Sequence, residues 1–252
     1  MKRGYADTAN GQIHYRCSGT GKPIIFLHNA SGHSQEYEEV GNLLGKMFAV
    51  YAIDLPGHGA SPRPEKEYTL MNHAASVISF MDTLGIQKAV IFGAIAGANI
   101  AAHLAAKWPE RVIAVVLAQL VFSDESNRPG KGYSPVALQY DGSHLMSYWN
   151  RICRSNSQRI NHIQVAGYCH AGDFGEGLCN AAQNDYGIAD LLLQIKSPVL
   201  VLKYAACEAA DLQDVVAGLI SDAKLEQLEG ALPCVAMDNP KQVADIIIKH
   251  FA

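Results

Sequence analysis

The chain has 252 residues, 49% of them hydrophobic and 17% charged, with a formal net charge of −4 at pH 7. So much apolar material, with a charged fraction well below the roughly 25% of an average soluble protein, excludes a disordered or solvating chain. A nucleic-acid or anionic-membrane binder would carry a basic surplus, so neither nucleic acid nor membrane is expected as a partner.

Short β-rich runs alternate with longer helical patterns, as βα units around a mostly parallel sheet require. Residues 11–17 form a strand entered through the Asn10-Gly11 turn. The continuous apolar run 23–27 predicts a strand covered on both faces. A helix follows over 34–46 and a strand over 48–53. Apolar residues at 3.6-residue spacing predict a helix over 69–84, ended by Gly85. Next come a strand over 89–92, a small-residue helix over 97–108 and a strand over 112–118. The apolar stretch 112–122, interrupted by Gln119, is far shorter than the ~20 residues that cross a bilayer. From about Phe122 to Asp190 the chain is rich in Ser, Asn, Gly and Gln, with helical stretches such as 143–153. That texture reads as an insertion packed on the end of the sheet. Alternation resumes with a strand over 198–202, a helix over 211–220, a strand over 224–228 and a helix over 241–251. The expected organisation is a core of residues 1–121 and 191–252 with a lid or cap formed by 122–190.

The six cysteines are Cys17, Cys153, Cys169, Cys179, Cys207 and Cys234, and none sits in a C-x-x-C pair. A chain of this length needs no disulfide staples, so reduced thiols in a cytoplasmic protein are expected. No apolar segment follows Lys2 and Arg3, which argues against a signal peptide. The ten histidines do not pair with the cysteines at ligand spacing, so no metal is expected, nor any cofactor. The low charged fraction leaves room for a face covered by a second copy of the chain, a homodimer.

In open α/β sheets, ligands bind outside the carboxyl ends of the strands. The informative segments are therefore His28-Asn29-Ala30-Ser31, Asp54-Leu55-Pro56-Gly57-His58-Gly59-Ala60-Ser61, Gly93-Ala94-Ile95-Ala96-Gly97, and the stretches after residues 202 and 228. Together with Trp108-Pro109-Glu110-Arg111-Val112 and Ser197-Pro198-Val199-Leu200-Val201-Leu202, this set resembles the α/β-hydrolase superfamily over the whole chain. The resemblance implies an α/β-hydrolase fold, with a mostly parallel central sheet, helices on both faces and a helical lid insertion. The family's nucleophile occupies the centre of G-x-S-x-G on a tight strand-to-helix turn. Here that centre is Ile95, whose side chain has neither a proton to lose nor a lone pair. The last loop, usually G-x-G-H, aligns with Gly230-Ala231-Leu232-Pro233 and puts Pro233 in the place of the base. The acid position falls near Cys207, with Glu208 and Asp211 as imperfect substitutes and Asp124 at an alternative place. With Ile95, Cys207 and Pro233 at the three positions, acyl-enzyme chemistry is not expected.

The elbow residue of this fold is held in a strained backbone conformation, which is costly for a β-branched side chain. Either the elbow has relaxed or the packing tolerates the strain. In both cases Ile95 puts an apolar floor under the site. The oxyanion hole is built from backbone, and the resemblance assigns its donors to the N–H groups of Ala30 and Ala96, suited to a developing enolate or alkoxide. Asn29, Ser31 and His33 line the same turn and are candidate ligand contacts, whereas His28 and His58 read as structural. In the insertion, Asp141 or Ser143 can cap a helix carrying His144, Tyr148 and Trp149, which the resemblance places over the pocket. His144 is the candidate proton-transfer residue, and Tyr148, Trp149 and Cys207 are candidate substrate contacts. The expected function is a non-hydrolytic enzyme of lyase, cyclase, decarboxylase or isomerase type, acting on a small carbonyl compound without a covalent intermediate. The alternatives are a catalytically dead pseudo-hydrolase that binds a small molecule or regulates, and a weak esterase or thioesterase.

Overall fold

The computed structural model describes residues 1–66, 68–122, 139–153, 157–185, 187–205, 207, 210–229 and 235–252. Asp124, Glu208 and Pro233 lie outside these. Among the described residues, β1 (Lys2–Thr8), β2 (Gly11–Ser18), β3 (Lys22–Leu27), β4 (Phe48–Ile53), β5 (Ala89–Ala94), β6 (Val112–Ala118), β7 (Val199–Tyr204) and β8 (Lys224–Leu228) form one sheet. Its order is β1-β2-β4-β3-β5-β6-β7-β8. The β1–β2 and β2–β4 pairs are antiparallel, and every other pair is parallel. The helices are α1 (Glu38–Leu44), α2 (Leu70–Thr83), α3 (Ala96–Lys107), α4 (Ser143–Ile152), α5 (Gln158–Gln183), α6 (Ile188–Leu192), α7 (Ala210–Leu219), α8 (Val235–Asp238) and α9 (Pro240–Phe251).

The two-sided burial expected of the apolar run 23–27 is what the sheet shows. Ile25 and Leu27 pack with Val77, Phe80 and Leu104 of α2 and α3 on one face. Ile24 and Phe26 pack with Val40, Leu44, Val243 and Ile247 of α1 and α9 on the other. The alternating direction of successive strand side chains makes each of residues 24–27 core, which is why no polar position interrupts that run. On α2, Thr69 and Asn72 exchange backbone and side-chain hydrogen bonds in a capping box, and Gly85 takes φ +67° just beyond the helix.

β1 and α5 are among the elements that escape a reading of the sequence. In β1 only Ala6 is buried, so it has no apolar alternation, and its pairing with β2 defines it. The long α5 contains Gly167, Gly172, Gly175 and Gly177, which depress helix propensity and hide it. Two of these glycines are packing requirements. A Cβ at Gly167 would lie 2.3 Å from the Ser31 carbonyl oxygen, and one at Gly175 would lie 2.4 Å from that of Ala30. At Gly172 the chain takes φ 52° and ψ −135°, and the helix kinks there.

The same steric logic operates where β5 meets α3. A Cβ on Gly93 would come within 2.1 Å of the Gly97 oxygen, and one on Gly97 within 2.4 Å of the Leu27 oxygen. Both neighbours are backbone and cannot rotate away. We therefore predict that Gly97→Ala destabilises the protein by roughly 2–4 kcal/mol, seen as a lower denaturation midpoint at unchanged m-value. Gly218→Ala, where an added methyl meets open space in α7, serves as the neutral or stabilising control.

Candidate active site

The β5–α3 turn holds Ile95 at φ 53° and ψ −115°. This is a left-handed region that a β-branched residue enters only under strain of order 1–3 kcal/mol. The elbow has not relaxed. Hydrogen bonds fix it from both sides: the Ile95 N–H donates to the Ala118 oxygen at 2.9 Å, and its carbonyl accepts from the N–H of Ala98 at 2.8 Å. Ile95 is half-buried, so part of its side chain faces open space at the carboxyl end of the sheet. Ala96 opens α3, where the first N–H groups of a helix have no intrahelical acceptor.

The turn after β3 is shaped by the side chain of Asn29. Its Oδ1 accepts from the Ser31 N–H at 2.8 Å, an Asx-type turn that leaves the Nδ2 amide as the available donor. His28 is completely buried; its Nδ1–H donates to the Asn29 carbonyl at 2.7 Å, and its Nε2 accepts from the Leu55 N–H at 2.9 Å. Those two bonds fix the neutral tautomer, and burial drives the pKa down to about 3. His28 is structural, as the sequence suggests. His58 faces the carbonyls of Pro56 and Ala30 at 3.0 and 2.9 Å and so ties the β4 loop to the turn.

Asp54 explains the D-x-P-G-x-G-x-S pattern. Its buried carboxylate accepts from His14 Nδ1 at 2.7 Å, the Ser34 N–H at 2.5 Å and the Ala60 N–H at 2.8 Å. A Cβ at Gly59 would sit 2.3 Å from Asp54 Oδ2, hence the glycine. Ser61 Oγ donates to the Asp54 carbonyl and accepts from the His14 N–H. Burial opposes ionisation, but the donors outweigh it and hold the carboxyl well below its usual range. The motif is a brace joining β2, β4 and the β3 turn.

Two buried groups in this region have no counterpart in the sequence reading. His73, fully buried on α2, has both ring nitrogens without a hydrogen-bond partner and is walled by Tyr68, His58 and Phe174. Burial holds it neutral, far below its ordinary pKa. Glu36, in the 3₁₀ turn Ser34–Tyr37 that follows the β3 turn, is 7% exposed. Burial lifts its carboxyl to about 8 against the pull of the His33 N–H, and Asp54 adds to the rise. The only hint in the sequence is an acidic residue one position before an aromatic in an otherwise helical segment.

At the far side of the elbow, Gln119 follows β6 at φ 57° and is 1% exposed. Its Oε1 accepts from the Tyr204 N–H at 3.2 Å, and its Nε2 donates to Cys207 Sγ at 3.2 Å. Cys207 therefore lies beside the ends of β6 and β7, half-buried. The lone polar residue in the 112–122 run was the signal for Gln119.

Over the turn lies α5. The Ile163 carbonyl faces His33 Nε2 at 3.0 Å, Gly167 and Gly175 abut Ser31 and Ala30, and Phe174 rests on Gly57. His33 is thus buried between the turn and α5. Tyr148 of α4 is buried in a stack on Tyr168 of α5, with centroids 3.8 Å apart, and Trp149 tilts against His162. His144 accepts at Nδ1 from the Gln139 N–H at 3.1 Å and lies near the Tyr168 ring. The structure brings Asn29, Ala30, Ser31 and His33 together under α5, and Ile95 and Ala96 at the adjoining elbow. The ring contacts of His144, Tyr148 and Trp149 are with Tyr168 and His162 of α5. A separate groove of about 730 Å³, with Arg63, Tyr68, His103 and Asp185 among its walls, involves neither the turn nor the elbow. Among the described residues no group of three His, Cys, Asp or Glu is placed to hold a metal ion, and no helix is long and apolar enough to cross a membrane.

Residues 22–162, more than half of the chain, match the family model described as the alpha/beta hydrolase fold. The chain belongs to the α/β-hydrolase family. It is 34% identical over 125 residues to the dihydrolipoyllysine-residue acetyltransferase component of an acetoin cleaving system from Cupriavidus necator, covering 49% of this chain and 33% of that protein. It is 32% identical over 131 residues to haloalkane dehalogenase 2 of Mycobacterium tuberculosis, covering 52% and 46%. The matched region thus spans a third to a half of these curated relatives. The enol-lactonase of Burkholderia xenovorans LB400 superposes with a TM-score of 0.79 at 20% identity, covering 98% of each chain. That likeness is one of fold.

The buried titratable groups of this α/β-hydrolase family member predict its stability profile. His28, His33, His58 and His73 are all held below the ordinary imidazole value by burial. Their stabilising effect is complete above about pH 6.5 and fades as pH falls toward their folded values. Glu36 is raised, so its effect is complete below about pH 4.5 and fades as pH rises to about 8. Four groups oppose one between these limits, so the melting temperature should peak near pH 6.5 and decline on both sides. In Glu36→Gln the alkaline decline should vanish while the acid arm stays, as differential scanning calorimetry across pH 4–9 will show.

Proposed function

We propose that this α/β-hydrolase family member is a non-hydrolytic enzyme of lyase, cyclase, decarboxylase or isomerase type. It binds a small carbonyl compound and stabilises the oxygen as an enolate or alkoxide, with no covalent intermediate. The observation that carries the reading is the elbow itself: the strained turn and its helix N-terminus persist around a residue that cannot attack. The N–H groups of Ala30 and Ala96 are the proposed donors, with Asn29 Nδ2 as a further polar contact and Ile95 as the apolar floor. Cys207 and Pro233 at the acid and base positions leave no triad in this reading, and residues 122–190 act as the lid. Hydrolase relatives such as the haloalkane dehalogenase and the enol-lactonase favour hydrolysis as the ancestral chemistry of the fold, but that chemistry needs an attacking side chain at the elbow.

A binding or regulatory role is the second reading, favoured by the half-buried Ile95 at the floor, which suits an apolar ligand. The two are separated by incubating the protein with β-keto acids, lactones and aryl ketones and following both product by mass spectrometry and thermal shift. Turnover supports the enzyme, whereas a saturable shift without product supports the binding protein. Hydrolysis of p-nitrophenyl esters should stay at the buffer rate, and Ile95→Ser should leave it within about twofold, because a serine without a base remains an alcohol. Ester hydrolysis by the unmodified protein above background would refute the reading.

A further inference from the structure

Proton transfer requires a group that titrates near neutrality and is not already committed to the fold. The histidines around the β3 turn are committed. His28 uses both ring nitrogens, His33 is held by the Ile163 carbonyl, His58 lies between two carbonyls, and His73 is sealed among aromatic rings. Asp54 is an ionised brace with three donors.

Glu36 differs from all of these. Its two carboxyl oxygens lie 2.6 and 2.9 Å from where a Cβ on Gly32 would stand, so the group is pressed against the inner side of the turn that carries Ala30. It makes no ion pair among the described residues, although it is almost wholly buried. Glu36 lies close enough to Tyr204, at the end of β7, for its charge to help raise that phenol, which places the carboxyl near the ends of β3 and β7. Next to it on the outside is α8, the helix that packs on the Ser34–Tyr37 turn. The charged and titratable groups on the surrounding elements include His33 and Tyr37 on the turn, Glu38 and Glu39 on α1, Asp54 after β4, His14 and Arg16 on β2, Tyr204 on β7 and the exposed Asp238 on α8. None of them is a cation paired with Glu36.

Resting on the reading given under Proposed function, we propose that Glu36 is the acid–base residue of the site, working on an enol or enolate held by the Ala30 and Ala96 amides. In the forward step the carboxyl O–H bond breaks and its proton forms a C–H bond with the electron pair of the enol C=C. The enol O–H pair becomes the C=O bond, and the released hydroxyl proton returns to the carboxylate. Proton and electron counts close with no co-reactant, and the net change is an enol–keto isomerisation. A neutral carboxyl at pH 7, with the titration near 8 that its burial produces, is the form this step requires.

The test uses benzoate as the probe, an anion that does not itself titrate between pH 6 and 9. A carboxylate held by the turn amides next to Glu36 needs Glu36 protonated. Benzoate affinity, measured by calorimetry on the full chain, should therefore be level to about pH 7. Above pH 8 it should fall by about tenfold per pH unit, and in Glu36→Gln it should be level throughout. In parallel, carbon-13 spectra of protein labelled at the glutamate carboxyls should show one resonance titrating near 8 that moves to higher pH when benzoate is added. This measurement needs no variant. Benzoate binding with the same pH dependence in both proteins, or no glutamate resonance titrating above about 6, overturns the proposal and leaves the reading of the elbow intact. Absence of benzoate binding from pH 6 to 9 overturns both.

Discussion

The backbone of α3 comes so close to β3 that only hydrogen fits between them. Gly97 faces the carbonyls of Leu27 and His28, and Gly93 faces that of Gly97. Given those contacts, the chain can pass from β5 into α3 only by a sharp turn, and residue 95 must take a positive φ whatever its side chain. The turn is thus a property of the scaffold. The chemistry at its tip is a separate choice, and here the tip is isoleucine. A conformation that disfavours a β-branched residue by 1–3 kcal/mol is retained because relaxing it would break the helix–strand approach that buries the small-residue face of α3.

The rest of the site follows from the same closeness. With α3 pinned to the end of β3, the start of the helix lies beside the turn at residues 28–33. The firmness of that turn comes from polar groups rather than from apolar packing. Asp54 collects donors from β2, the β3 turn and its own loop, while His28 and His58 bridge the β3 turn to the β4 loop. Helix α5 then packs on the turn through two glycines, while the ring of Phe174 rests on Gly57. Burial of this many titratable groups has an electrostatic consequence. The imidazoles of His28, His33, His58 and His73 are pushed toward the neutral form, and burial raises the Glu36 carboxyl as well.

Much of this was readable from residue types alone, and the gaps have physical causes. The buried strands and α2 announce themselves by apolar continuity or 3.6-residue spacing, with Thr69 and Gly85 marking the ends. Asp54 to Ser61 and the glycines at 93 and 97 are motifs whose reasons are steric, so the fold and the place of the elbow follow from them. By contrast, α5 hid behind its glycines, because the reason for those glycines is a contact with residues over 130 positions earlier. Glu36 was missed for a related reason: a polar residue in an apolar surrounding draws notice only once the surrounding is known. His144 shows the opposite tendency, since a histidine on a polar helix attracts attention for its chemistry alone, while its described contacts are to Gln139 and Tyr168.

The central claim is that two backbone amides, at Ala30 and Ala96, still hold a ligand oxygen where no side chain can attack. Nitrogen-15 spectra of protein labelled only at alanine test it most directly, with an added phenylphosphonate as a tetrahedral oxyanion mimic. The account predicts that the Ala30 and Ala96 amide protons move downfield together, with one saturation curve, while alanines remote from the elbow such as Ala181 in the Arg63–His103 groove stay still. Saturable binding that shifts Ala181 and leaves Ala30 and Ala96 unmoved would contradict it.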